Sequence, residues 1–235
     1  AMYVMDVTGN NVTEAVGQLK SRELDDNYTA CYYPDLKLND QNSNKVLRVS
    51  PSVAVMGAIA FSDRVGQVFF APAGLNRGGI TNAVQVLDRT THAERDTLYE
   101  GRVNPIAAFP GTGICVWGQK TLQVKASALD RINVRRLLIY VKSGISSIAS
   151  RILFEQNVQD TWNRFIGQAE PFLADVKARF GLVDYKFVLD QTTTTPDLID
   201  RNTMYAKIFI KPAYAIEFIG IDFVITNSGA SFDDL

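Results

Sequence analysis

The sequence predicts an α+β (mixed α/β) fold: a sheet of mostly antiparallel strands flanked by two long helices, plus an incomplete α/β segment at the N-terminal end. Three observations carry this expectation. Residues 132–154 place Val134, Leu138, Val141, Ile145, Ile148 and Ile152 at alternating spacings of four and three, a continuous helical stripe. Residues 158–180 repeat the pattern with Trp162, Phe165, Ala169, Leu173, Val176 and Phe180, and end at Gly181. After that the chain turns to β-branched and aromatic runs, YKFVLD (185–190), AKIFIK (206–211) and IEFIGIDFVIT (216–226).

The remaining elements follow in order. TEAVGQLKSREL (13–24) reads as a helix and TACYYPDLKL as a strand; one of each cannot close a core alone. Ser50 or Ser52 could cap a short Ala-rich helix over 50–64. PAGLNRGG (72–79) is a Gly/Pro-rich loop, and the expected domain division lies there, into 1–72 and 73–235. AVQVLD (83–88) and GICVWGQKTL (113–122) are further strands, with Cys115 and Trp117 alternating into the core. In the second long helix Asn157 is the expected N-cap and Pro171 the expected kink. On the first, Arg136, Ser143, Ser147 and Ser150 oppose the stripe, while Ile139 and Tyr140 lie off it and suggest a second apolar contact, with another subunit.

Composition narrows the function classes. The 235 residues include 46% hydrophobic and 21% charged ones, ordinary globular usage. Lysine plus arginine number 24 against 25 acids, a net charge of −1, which argues against wholesale binding of nucleic acid or an anionic membrane. Two cysteines, Cys31 and Cys115, make no disulfide framework and read as buried free thiols. No apolar run approaches the ~18–20 residues of a membrane span, and AMYVMDVTGNN has no basic start or long apolar stretch of a signal peptide. Ala1 before Met2 suggests an engineered or proteolytic boundary.

Chemistry-bearing patterns are sparse. The single histidine, His92, sits in the polar helical stretch RTTHAERD and leaves one candidate base for any nucleophile. GTG (111–113) and GLNRGG (74–79) match neither phosphate-loop pattern and read as turns. Asp190, Asp197 and Asp200 gather around QTTTTPDLIDRN, where a metal-dependent hydrolytic site is conceivable and a capped polar loop is preferred. DRINVRRLLIYV (130–141) crowds Arg131, Arg135 and Arg136 into about one helical turn, too compact for an extended nucleic-acid face. Pairing with Asp130 or another surface acid and a face toward an acidic partner both remain open on the residues alone.

DRINVRRLLIYV, SRILFEQN (150–157), PAGLNRGGI (72–80), VNPI (103–106) and GTGICVWGQKTL (111–122) together resemble contractile phage tail sheath proteins. TTTTPDLIDRN (192–202) and GASFDDL (229–235) are similar to the sheath of T4-like myoviruses in particular; the match runs in order over about 50–235. Residues 1–72 then correspond to the end of the preceding sheath α/β domain, and 73–235 to its C-terminal, inner-layer domain.

This resemblance implies a structural subunit rather than an enzyme, with no cofactor. Such subunits polymerise around a tail tube and contract to drive it through the host envelope. The implied partners are other sheath subunits, the tube protein, and baseplate and tail terminator proteins, in the virion tail after assembly in the host cytoplasm. A phage-related contractile injection particle is the alternative setting. In the family, terminal arms add strands to a neighbour's sheet, which marks Ile216, Phe218, Phe232, Asp233 and Asp234, with Ile139 and Tyr140, as inter-subunit candidates. The inner-layer position makes Arg131, Arg135 and Arg136 tube-contact candidates, whose charge reversal is expected to leave folding intact. The family's N-terminal arm and outer domains are not in this sequence, so an isolated chain is expected to be monomeric.

Overall fold

The computed structural model describes residues 1–40 and 42–221. Its first half is organised on a short parallel core. Strand β1 (Tyr3–Asp6) crosses through helix α1 (Val12–Lys20) to β2 (Thr29–Tyr33), which lies parallel to it. Next come β3 (Leu36–Asp40), β4 (Lys45–Val49), helix α2 (Pro51–Val65), β5 (Ala83–Val86), helix α3 (His92–Glu100), β6 (Val103–Phe109) and β7 (Gly113–Val116). The main sheet runs β1-β2-β6-β7, with β2 parallel to β6 and β7 folded back antiparallel; β4-β3-β5 form a second, antiparallel sheet.

The burial of β2 follows from its central place. A parallel strand covered on both faces reads as a continuous apolar run. Here Cys31 and Tyr33 face α1 and α3 among Val12, Val16, Leu19 and Leu98, while Ala30 and Tyr32 face α2 among Ala54, Val55 and Ala58. Ser50 precedes α2 but its side chain makes no capping bond. The cap comes instead from β1, where Asp6 accepts from the Ser52 amide at 2.7 Å and from its hydroxyl at 2.5 Å.

The second half holds α4 (Ile132–Ser150), α5 (Gln159–Ala178), β8 (Leu182–Val188), α6 (Pro196–Asp200) and β9 (Lys207–Pro212). β8 and β9 pair antiparallel into a two-stranded sheet. Its inner side chains, Tyr185, Phe187, Ile208 and Ile210, pack against Leu137, Val141, Leu173 and Val176 of the two helices. The α+β expectation therefore holds, with three separate sheets among the described residues in place of one.

Several local expectations are corrected. The division at 72/73 cuts through the main sheet, because β2 pairs with β6 across it. Of residues 216–226, 216–221 form no strand, and the rest lie outside the described residues. The buried side of α4 is carried by Ile132, Val134, Leu137 and Val141, with Leu137 rather than Leu138 in the core, and includes Arg135. α5 ends at Ala178 with Arg179 as its C-cap, and the left-handed residue after it is Phe180, 78% exposed at a φ of 62°, rather than Gly181. Gly181 is kept small by Phe69, Val176 and Leu137, which crowd its Cβ position. Asn157 does not cap α5; its carbonyl oxygen accepts from the Trp162 indole at 2.7 Å. Trp117 is 43% exposed and leans on Phe109, their rings 4.5 Å apart.

The loop PAGLNRGG is fastened to β7: Gly74 donates to the Val116 carbonyl, and Val116 donates to Gly78. A Cβ on Gly78 would come within 2.8 Å of the Ala73 Cα and the Val116 carbonyl oxygen, both rigid backbone, whereas one on Gly79 would meet nothing within 4 Å. We therefore expect Gly78→Ala to lower unfolding free energy by about 1–3 kcal/mol, the ordinary penalty of forced overpacking. Gly79→Ala should be close to neutral. Paired urea titrations check this, and equal effects at the two positions would refute the account.

Candidate assembly site and the arginine joint

The link between the halves, residues 117–131, is built around one buried amide. Asn104 lies on β6 with no exposed surface. Its Nδ2 donates to the Cys31 carbonyl at 3.1 Å and to Lys120 at 2.8 Å, and its Oδ1 accepts from the Lys120 amide at 2.6 Å. One side chain thus fixes the connector along the sheet, satisfying backbone groups that a strand partner would otherwise take. Lys120 bridges to Arg131, and Ile132 donates its amide to the Gln119 carbonyl at 2.8 Å, which positions the first turn of α4.

From that turn the three arginines reach three different parts of the chain. Arg135 is 5% exposed; it donates to Asn27 and stacks over the Tyr28 ring at 3.9 Å, both in the loop before β2. Arg136 places Nη2 at 2.7 and 2.5 Å from the two carboxylate oxygens of Asp63 on α2. Arg131 meets Asp130 at 3.1 Å and Glu217 at 2.7 Å. Burial opposes the charge on Arg131, but the hydrogen bond to Glu217 and the surrounding negative groups outweigh it and hold its pKa above the ordinary arginine value. The patch expected to face a tube is thus an internal joint, its guanidiniums engaged by the chain's own Asn27, Tyr28, Asp63, Asp130 and Glu217. Tyr140 is likewise engaged internally, its ring 5.8 Å from both Phe69 and Phe172, and Ile139 is half-buried.

A different surface is open. Within the described residues β8 and β9 pair only with each other, so each has one unpaired edge. Past Pro212 the chain forms no helix or strand through 213–221, where Tyr214, Ile216, Phe218, Ile219 and Ile221 are 64–82% exposed. Ile216 and Phe218 were expected there; Phe232, Asp233 and Asp234 lie outside the described residues. Missed entirely were Glu217, Asp63 and Asn104. Glu217 had a visible signal, being the acid that interrupts the apolar run IEFI, and Asn104 another, as the polar residue in VNPIAAF.

The remaining chemical candidates fall on the surface. His92 begins α3, 84% exposed at its side chain and 3.0 Å from Asp96. Asp190 caps its own turn by accepting from Thr192 and Thr193, Asp197 pairs with Arg201, and Asp200 is exposed. Among the described residues no three His, Cys, Asp or Glu side chains gather as metal ligands, and no helix is long and apolar enough to cross a membrane.

An α+β body with an arginine-fastened joint, and, among the described residues, an open two-stranded sheet and an exposed apolar segment, defines the class: a two-domain chain with a surface suited to assembly. The chain belongs to the phage tail sheath family. Residues 3–122 match the phage tail sheath protein central domain and residues 124–226 its C-terminal domain, so the family boundary falls in the connector that Asn104 holds. The tail sheath protein of Vibrio phage KVP40 is 37% identical over 212 residues, 90% of this chain and 31% of that protein. That of Enterobacteria phage T4 is 39% identical over 193 residues, covering 82% and 29%. The chain thus spans about a third of the length of these curated relatives. Among solved structures, the contracted sheath complex of the PVC extracellular contractile injection system superposes with a TM-score of 0.83 at 26% identity, over 94% of this chain and 63% of that one. The contracted helical sheath of the anti-feeding prophage gives 0.77 at 24% identity, over 95% and 61%, a likeness of fold.

Two outcomes follow from the joint and the core beside it. Arg135→Ala should cost about 2–3 kcal/mol, from a lost charged hydrogen bond and ring contact at a buried position. Reversing charge at all three arginines should unfold the chain rather than spare it; a native circular dichroism spectrum and melting point in the triple variant would overturn this. The second outcome concerns alkali. Burial pushes the Cys31 thiol up to about 12 and Cys115 to about 11, from 9.0, so both are protonated at neutral pH and unfit as nucleophiles. A pKa raised in the fold contributes stability present below the unfolded value and lost above it. Stability should therefore fall as pH climbs from 9 toward 11, and thiol reagents should react only on unfolding.

Proposed function

We propose that this chain is the central and C-terminal part of a contractile tail sheath subunit, which polymerises around a tail tube and contracts to drive it through the host envelope. The observation that carries the reading is the pairing, on one chain, of an open two-stranded sheet with an exposed apolar arm. β8–β9 has hydrogen-bonding edges to offer, and residues 213–221 are an unpaired segment of the right composition to occupy such an edge. Strand addition uses main-chain hydrogen bonds for affinity and alternate side-chain pockets for fit. Links of that kind keep subunits connected while their bodies rotate, which contraction requires. Ile216 and Phe218 are then inter-subunit residues.

Tube, baseplate and terminator proteins are the partners this role implies, and the work is mechanical rather than catalytic. A phage tail is favoured over an injection particle because the phage relatives share 37–39% of residues and the PVC sheath 26%.

The test removes the arm from the full-length protein. Truncation after Pro212 should leave the body's melting temperature within a few degrees of wild type and abolish sedimentable sheath in the presence of tubes. Sheath of normal length from the truncated protein would overturn strand exchange by this arm.

A further inference from the structure

The arm does not leave the body loosely. At its root Ala213 donates to the Gly181 carbonyl at 3.1 Å and accepts from Asn133 Nδ2 at 3.4 Å. Four residues on, Glu217 turns inward while its neighbours Ile216 and Phe218 stay 82% and 81% exposed. Its Oε1 accepts from Arg131 Nε at 2.7 Å and from Gln119 Nε2 at 3.0 Å, and burial, with the Glu217 charge close by, pushes the Tyr99 phenol up. The Glu217 side chain is 17% exposed and that of Arg131 22%. Lys120 completes the cluster, its ammonium 4.2 Å from the Tyr99 ring centroid and 2.9 Å from the Tyr99 carbonyl. Arg131 and Lys120 are balanced there by Asp130 and Glu217, with Glu100 also acting on Lys120, so removing Glu217 takes away the one carboxylate that bonds Arg131 from the arm.

Among the described residues of the arm this polar seat has no counterpart. An extended strand sends alternate side chains to opposite faces, so a lone acid among Ile216, Phe218, Ile219 and Ile221 fixes which face meets the body. The seat also draws on both halves of the family: Tyr99, Gln119 and Lys120 belong to the central domain, Arg131 and Glu217 to the C-terminal one.

We infer that Glu217 is a positioning residue: it clamps the arm's root across the domain joint, so that the arm leaves in one direction and reorients only beyond residue 217. The inference rests on the strand-exchange reading for its purpose, although the clamp itself is a property of the single chain. A tethered arm searches a smaller volume than a free one, which raises its effective concentration at a neighbour's sheet edge. Because the root is held to the joint, motion of one domain against the other redirects the arm.

Two measurements separate the clamp from the function. Both native cysteines are buried, so spin labels can be placed selectively at Ile219→Cys and Ser147→Cys, both exposed. Wild type should give one narrow distance distribution between them. Glu217→Ala should lose it to a broad one while the body stays folded, with a native circular dichroism spectrum and a single cooperative, somewhat lowered melting transition, and Glu217→Gln, which keeps an acceptor but no charge, should lie between. A narrow distribution in Glu217→Ala overturns the clamp. The second measurement is sheath assembly by full-length Glu217→Ala, where a loss of sedimentable sheath is expected. If the arm is loosened but assembly is undiminished, the positioning role is wrong. If wild-type full-length protein itself forms no sheath, the functional reading fails while the clamp on the single chain stands.

Discussion

Taking a guanidinium out of water is favourable only where its donors meet shaped and charged partners, and the first turn of α4 imposes that condition three times. Each arginine answers it with a different part of the chain, Arg135 with the amide and ring of the loop before β2, Arg136 with a carboxylate on helix α2 and Arg131 with one on the C-terminal arm, although Nε of Arg135 and Nη1 of Arg136 are buried without a partner. The partners therefore fix where α4 begins and how it is rotated. Apolar packing alone would set this less sharply, since a helix can slide or turn against a smooth face with little change in area buried. With α4 fixed, α5 and the β8–β9 pair follow, because their core is assembled on Leu137 and Val141 of that helix. Asn104 prepares the joint from the other side by holding the connector in place of a strand.

The same requirement explains what could be read in the sequence. Helices α4 and α5 were legible because their burial is apolar and periodic. The β8 and β9 strands were legible because β-branched and aromatic residues cluster between polar turns. Local information ran out where a partner distant in sequence decided the outcome. Arg135 sits 108 positions from Asn27, and Arg136 73 from Asp63; a residue pattern around 131–136 cannot distinguish an internal joint from an exposed patch. Leu137 displaced Leu138 from the core for a related reason, since the buried arginine rotates the inward face of α4 toward 131–135. The family resemblance identified the family but not the internal partners of the arginines, because position within a lattice says nothing of which groups are already engaged inside the subunit.

The run IEFIGID was read as a strand from its composition, and composition was a fair guide to what the segment prefers. A strand needs a partner as well as a propensity, because its hydrogen bonds lie between segments rather than within one. Within the described residues of a single chain 216–221 has no such partner, so it forms no strand and stays exposed despite its β-branched content. An apolar segment with unpaired edges is an aggregation hazard in an ordinary monomer. The open β8–β9 sheet is moderated in the usual way: Asp184, Lys186, Lys207 and Lys211 stand on its outer face and discourage indiscriminate pairing. Among the described residues of the arm the exposed side chains Tyr214, Ile216, Phe218, Ile219 and Ile221 carry no charge.

Glu217 draws these constraints together. A contact that must survive a large rearrangement cannot be spread evenly over an apolar interface, since sliding would expose area continuously. A half-buried ion pair behaves differently: it is directional and short in range, so it holds one geometry until the donors move apart and then contributes little. Set between Tyr99 and Gln119 on one side and Arg131 on the other, the carboxylate depends on both domains keeping their relative position. The arm's direction is thereby made to depend on the joint that Arg131, Arg135 and Arg136 hold.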